Sequence, residues 1–240
     1  MKILGLEEID STNNYAKMNI DSFEDKTVIY AKRQNSGRGR LNRSWVDLGD
    51  GNLFMSIVLK PSNSFNEIYP NITQYLSVSL CKVLECYGLK PQIKWPNDVL
   101  IDGKKIAGIL SETVMEGHLL KGLVLGIGVN LNSCQKDLES IENKIATSLN
   151  LEIGQDIDLN AFMAPLLNEF FANYDEFLNS GFKLIKDEYI SRTCFLNKEI
   201  RVQVFNNIKT GVAKSINDKG ELVLLSNDNN EFVLTIGDIL

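Results

Sequence analysis

Apolar residues recur at two distinct periods along this 240-residue chain. Between 70 and 87, Ile72, Tyr75, Leu76, Leu80, Val83, Leu84 and Tyr87 fall on one side of a 3.6-residue repeat. That spacing predicts a core-facing helix, with Gly88 as its C-cap. A second stripe runs through Leu159, Phe162, Met163, Leu166, Leu167, Phe170, Phe171, Tyr174, Phe177 and Leu178. It predicts a helix capped by Asp158, reaching about Asn179 and kinked or broken at Pro165, because proline lacks the N–H an interior turn needs. Shorter helices are expected at 10–20, behind a run of cap residues, near Asn143–Leu149, and at 182–190.

The other pattern is short, β-prone and often continuous. Strands are expected at 27–33, 52–60, 92–95, 99–101, 105–113 and 119–129, with Asp102-Gly103 as a type I′ hairpin turn. Gly126 and Gly128 interrupt the last of these, and interior strand glycines mark a close approach by another group. Beyond Thr193 the texture changes to short strands at 198–205, 208–216, 220–226 and 230–236, separated by Asn/Asp/Gly turns, which reads as a small barrel. The domains expected are therefore 1–190 and 191–240.

Charge narrows the partners. The net charge is −6, so nonspecific nucleic-acid binding is disfavoured and DNA is not an expected partner. Four cysteines lack any C-x-x-C spacing and there is one histidine, which leaves no zinc site and no support for a Ser-His-Asp triad. No signal-peptide pattern and no membrane-length apolar run is present, so a cytoplasmic, membrane-free protein is expected.

Against that acidic background, residues 34–45 stand out: Gln-Asn-Ser-Gly-Arg-Gly-Arg-Leu-Asn-Arg-Ser-Trp. Arg38, Arg40 and Arg43 alternate with Gly37 and Gly39 and are closed by Trp45. Arginine forks suit phosphate or carboxylate, and glycines let the backbone come close, so the loop looks suited to a small anion. With little to bury and like charges side by side, it is expected to be mobile until an anion supplies counter-charge. Three further segments have a similar character: Ser11-Thr12-Asn13, Lys94–Asp98 (Lys-Trp-Pro-Asn-Asp) with Lys105–Leu110 (Lys-Ile-Ala-Gly-Ile-Leu), and Gly126–Asn132. Each alone reads more readily as a cap, a turn or a bulge. No Walker A pattern occurs.

Taken together and in order, these motifs resemble the biotin protein ligases over roughly residues 8–133. The resemblance implies an α+β fold: a mixed sheet with helices on one face, like the catalytic domain of class II aminoacyl-tRNA synthetases, followed by a small SH3-like barrel. It implies two steps, in which biotin is activated by ATP to biotinoyl-AMP and then passed to a lysine of a biotin carboxyl carrier protein. It further implies Arg38 and Lys105 as catalytic cations. Ser11, Thr12, Asn13, Gln34, Gly37, Arg38, Gly39, Arg40, Lys105 and Gly108 would hold biotin. Arg38, Arg40, Arg43, Trp45, Lys94, Asn97, Asp98, Lys105, Gly128 and Asn130 would hold ATP. By the same resemblance Asp98 would be the carboxylate to lie near magnesium, the ion itself being held mainly by phosphates.

Two departures bear on this. Asn42 stands where the family often has glycine, and asparagine tolerates the left-handed turn. The Ser-Thr-Asn motif begins at residue 11, which leaves no room for the winged helix-turn-helix that some members carry. The alternatives are a lipoate or octanoate ligase of the same fold, against which Trp-Pro-Asn-Asp weighs, and a non-catalytic biotin-adenylate sensor. The carrier's identity does not follow from the sequence, and a homodimer is left open.

Overall fold

The computed structural model describes residues 1–61, 66–141, 145–226 and 228–240. The chain begins with β1 (Ile3–Ile9), a strand not expected from the sequence, then α1 (Thr12–Met18), β2 (Thr27–Gln34) and β3 (Leu53–Leu59). Ser11 caps α1 by accepting from the Asn14 N–H. The expected long helix is α2 (Ile72–Cys86), entered through a single 3-10 turn at Tyr69–Asn71. β4 (Pro91–Lys94), β5 (Asp98–Ile101), β6 (Lys104–Glu116) and β7 (Leu119–Val129) follow. Asp102 and Gly103 both take positive φ, +47° and +76°, as the hairpin between β5 and β6 requires.

The helix expected near 143–149 is displaced. Residues 142–144 lie outside the described residues, and two short helices flank the span instead: α3 (Gln135–Glu139) and α4 (Leu149–Ile153). The second long stripe is α5 (Leu159–Ala172) and α6 (Tyr174–Ser180), and its break falls at Asn173 rather than at Pro165. Pro165 and Ala161 are both exposed, so water can serve the carbonyl that proline leaves without a donor. A 3-10 turn at Gly181–Leu184 and α7 (Lys186–Ser191) complete the helices.

Seven strands form one mixed sheet in the order β1-β2-β3-β7-β6-β5-β4, with β1 parallel to β2 and the other neighbours antiparallel. Strand alternation divides its two faces. Leu53, Met55, Ile57 and Leu59 of β3 and Leu123, Leu125, Ile127 and Val129 of β7 point into the large core beneath α2 and α5. Val58, Val124 and Ile29 point the other way, where Ala16 and Ile20 cover them. The helices are therefore not confined to one face, since α1 lies opposite the long pair, and the candidate site lies on the α1 side.

The C-terminal segment forms a second, antiparallel sheet ordered β11-β10-β9-β8-β12. Its strands are β8 (Glu199–Val204), β9 (Asn207–Ile216), β10 (Leu222–Leu225), β11 (Glu231–Leu234) and β12 (Asp238–Ile239), the last not expected from sequence. Among the described strands, β11 and β12 remain edges, so strand pairing does not close this sheet into a barrel. Val202, Ala213, Ile216, Leu222 and Leu224 belong to the same apolar core as α2 and α5.

Candidate functional site

The site face of the large sheet carries glycine where a side chain would obstruct. Gly108 pairs with Gly128 across β6 and β7, and Leu110 pairs with Gly126. A Cβ on Gly126 would lie 2.1 Å from Asn13 Oδ1, and one on Gly128 would lie 2.5 Å from Trp45 Cε2. The close approach expected from these glycines is thus made by the protein's own α1 and its loop tryptophan.

Above this floor is a cavity of about 550 Å³. One wall is short and neutral: Ser11, Thr12 and Asn13 from the start of α1, and Gln34 from the end of β2. The cationic part of the lining is Arg38, Arg40 and Arg43 from the loop, Lys94 from β4 and Lys105 from β6, with Arg38 seated against α1, where it donates to Asn14 Oδ1 at 2.8 Å. Five basic side chains face two acidic ones, Asp98 and Asp238, on a chain whose net charge is −6. Such an enclosed basic surface concentrates anions locally.

The loop is a small hairpin. Arg38 bridges Ser44, Gly39 N–H donates to the Arg43 carbonyl at 2.7 Å, and Trp45 N–H donates to the Gly37 carbonyl at 2.9 Å. Its left-handed residue is Leu41, at φ 51°, and not the Asn42 that the glycine comparison pointed to. Gly37 does not line the cavity; it lets the hairpin close, since a Cβ there would lie 2.5 Å from the Trp45 carbonyl oxygen. Arg40 donates to Asn97 Oδ1 at 3.1 Å and to the Gly237 carbonyl at 3.2 Å, and Asp238 lies 3.2 Å from it and 3.0 Å from Arg43. Burial lowers the pKa of Arg40, against the opposing pull of Asp238 and Asp98. Asn97 is anchored in turn, donating to the Ile109 carbonyl at 2.6 Å.

Lys105 Nζ lies 2.6 Å from Asp98 Oδ1 and 5.4 Å from the centre of a Trp45 ring. Its backbone is held by Ile145 and Thr147, so the ammonium is presented from a fixed strand. Asp98 is therefore already engaged. Among the described residues no three His, Cys, Asp or Glu side chains converge as metal ligands. Asn130 does not line the main cavity; it borders a smaller recess behind Trp45 and donates to the Thr147 carbonyl at 3.0 Å. Trp45 Nε1 is buried without a hydrogen-bond partner in the protein.

Four residues here escaped the sequence reading. Ser56 of β3, fully buried, lies 2.6 Å from Asn13 Oδ1. Glu112 of β6 lies 2.9 Å from Asn13 Nδ2, 2.6 Å from Lys17 Nζ and 3.5 Å from Arg38. Lys17 of α1 is the third of these and Asp238 the fourth. A lone serine inside the apolar run of β3 was a usable signal, and so was the every-second-residue spacing of Gly108, Leu110 and Glu112. Nothing local marks Asp238, which meets Arg40 only through the tertiary fold.

Residues 5–130 match the Biotin/lipoate A/B protein ligase family. The chain is 32% identical over 203 residues to the bifunctional ligase/repressor BirA of Bacillus subtilis, covering 84% of this chain and 62% of that protein. It is 30% identical over 228 residues to the biotin–[acetyl-CoA-carboxylase] ligase of Paracoccus denitrificans, covering 91% of this chain and 92% of that one. The structure superposes on the biotin protein ligase of Aquifex aeolicus in complex with biotin and ATP with a TM-score of 0.85 at 28% identity, covering 100% and 97% of the two chains. The chain thus spans about three fifths of the length of the first Bacillus relatives it matches. Among the described residues, no helix is long and apolar enough to cross a membrane.

Proposed function

The chain belongs to the biotin/lipoate A/B protein ligase family, and on that premise we propose that it activates biotin with ATP and transfers it to a lysine of a biotin carboxyl carrier protein. The supporting observation is that a single cavity brings short, neutral, directional groups together with a cluster of cations. Biotin's urea meets Ser11, Thr12, Asn13 and Gln34, and its carboxylate extends toward the cations. A carboxylate oxygen attacks the α-phosphorus, the bond to the bridging oxygen breaks, and pyrophosphate leaves. Arg38 and Lys105 offset the charge that gathers where two anions meet. Arg40 and Arg43 hold phosphates, and Trp45 covers the adenine side, where its unpaired Nε1–H can find an acceptor. In the second step a neutral lysine amine of the carrier attacks the anhydride carbonyl and AMP departs.

Asp98 is taken by Lys105, so magnesium enters with the nucleotide, held by phosphates and not by a protein cage. Residues 1–190 serve as the catalytic unit and 191–240 as an accessory SH3-like unit that contributes Asp238 to the cavity. The lipoate reading is less well supported, because a dithiolane ring offers no hydrogen-bonding group to the donor of Gln34 or to the remaining acceptor capacity of Asn13. ATP–pyrophosphate exchange with biotin, lipoate and octanoate is the test. Exchange should depend on biotin alone; exchange driven equally by lipoate would overturn the assignment.

A further inference from the structure

Asn13 is the pivot of a hydrogen-bonded chain that crosses four elements. Its Nδ2 lies 2.9 Å from Glu112 Oε2 and 3.4 Å from the Leu110 carbonyl, and its Oδ1 lies 2.6 Å from Ser56 Oγ. Thr12 Oγ1 lies 2.8 Å from Ser56 Oγ and 3.1 Å from Gln34 Oε1; with Ser56 giving its one proton to Asn13 Oδ1, the Thr12 hydroxyl donates to Ser56 and leaves the Gln34 oxygen to a backbone donor. The Thr12 backbone N–H donates to that same Oε1 at 2.8 Å. A carboxamide can be turned end for end at little steric cost, so what it shows a ligand depends on neighbours that cannot be turned. This chain has one such neighbour at each end. The Thr12 N–H can only donate, which fixes Gln34 with Oε1 toward α1 and Nε2 on the branch toward Gly37. An ionised carboxylate can only accept, which fixes Asn13 with Nδ2 toward Glu112 and Oδ1 toward Ser56.

We propose that Glu112 is a positioning residue for the substrate: by accepting from Asn13 it makes the neutral wall present an acceptor at Asn13 and a donor at Gln34. That pattern is complementary to a cyclic urea, whose N–H groups donate and whose carbonyl accepts. The proposal rests on the biotin reading of this cavity. Glu112 stands behind Asn13 and does not line the cavity itself. Lys17 at 2.6 Å and Arg38 at 3.5 Å surround it with positive charge. Burial alone would raise its pKa, but hydrogen bonds from Lys17 and Asn13, with the charges of Lys17 and Arg38, outweigh burial and hold it below the usual carboxylate range. At neutral pH it has no proton to give, and a turned Asn13 would set oxygen against oxygen.

Calorimetric titration with biotin of the parent, Glu112→Leu and Glu112→Gln separates the acceptor from the charge. A parent chain that binds no biotin refutes the functional reading itself, before any variant is compared. With a binding parent, Glu112→Leu should weaken biotin at least about tenfold, because the neutral residues lose their fixed orientation. Glu112→Gln keeps a carbonyl acceptor without the charge and should stay within about threefold of the parent. Leucine binding as tightly as the parent, or glutamine falling as far as leucine, overturns the proposal. Should the leucine variant fail to fold, reversing the pair decides. Asn13→Asp alone faces Glu112 with a second carboxylate and should lose biotin. Adding Glu112→Gln restores a donor–acceptor pair and should recover at least about tenfold in affinity; no recovery overturns the proposal.

Discussion

Three constraints converge on the ammonium of Lys105: the Asp98 carboxylate at 2.6 Å, the Trp45 ring, and a backbone clamped by Ile145 and Thr147. A cation so held is oriented before substrate arrives, and under the proposed function its stabilisation of developing charge should be large. Lys105→Ala should therefore slow single-turnover formation of biotinoyl-AMP by about 100- to 1000-fold, the cost typical of removing one such group. The fold should survive, because Asp98 is a quarter exposed and water can replace its partner. Adenylate formation at the parent rate by the folded variant would remove Lys105 from the chemistry. The residues legible in the sequence are those, like Lys105, that sit in compact local motifs. Glu112 was marked only by its alternation with Gly108 and Leu110, and a glutamate in a strand reads as a solvated side chain until Asn13, Lys17 and Arg38 are brought to it.

The Arg/Gly loop and β12 act as one element. The sequence predicts that the loop lacks counter-charge until a ligand supplies it. In the structure Asp238 supplies some, reaching both Arg40 and Arg43 from the opposite end of the chain. Asp238→Asn removes that anion while preserving shape, so the hairpin should open more often. By hydrogen exchange, the Gly39 and Trp45 amides should exchange faster in the variant than in the parent, and biotinoyl-AMP should restore their protection. Unchanged exchange at both amides would show that the loop's own bonds suffice.

Elements were readable where one face is buried at a regular period, as in α2, or where a continuous apolar run is buried on both faces, as in β3 and β7. They were not where pairing decides. β1 is an edge strand that alternates only weakly and carries Glu7-Glu8, and β12 is two residues long, shorter than any periodicity. Solvent also moved the helix break to Asn173, by tolerating Pro165 where the sequence predicted the kink.

At the scale of the whole molecule, the C-terminal sheet is joined to the large-sheet half at the Lys219-Gly220 turn as well as at the Arg/Gly loop. Gly220 accepts from Gln74 Nε2 at 2.9 Å and from Trp95 Nε1 at 3.2 Å, and Asn71 Nδ2 reaches the Lys219 carbonyl at 2.8 Å. Gly220 has φ +76°, and a Cβ there would lie 2.5 Å from both Asn71 Nδ2 and Gln74 Oε1. Gly220→Ala thus combines an unfavourable backbone with overpacking, together costing about 2–3 kcal/mol. For a chain of this length that lowers Tm by about 5–10 °C. The apolar core runs without interruption from Val28 to Ile239, so unfolding should remain one transition, not split into two. This turn also touches the site, because Trp95 lies between Lys94 and Asn97 in the cavity lining and Asp238 follows on the same sheet. Below its Tm the variant should show a raised KM for ATP with the KM for biotin little changed. A biphasic melt, or equal loss on both substrates, would mean that the C-terminal sheet is an independent appendage and not part of the nucleotide site.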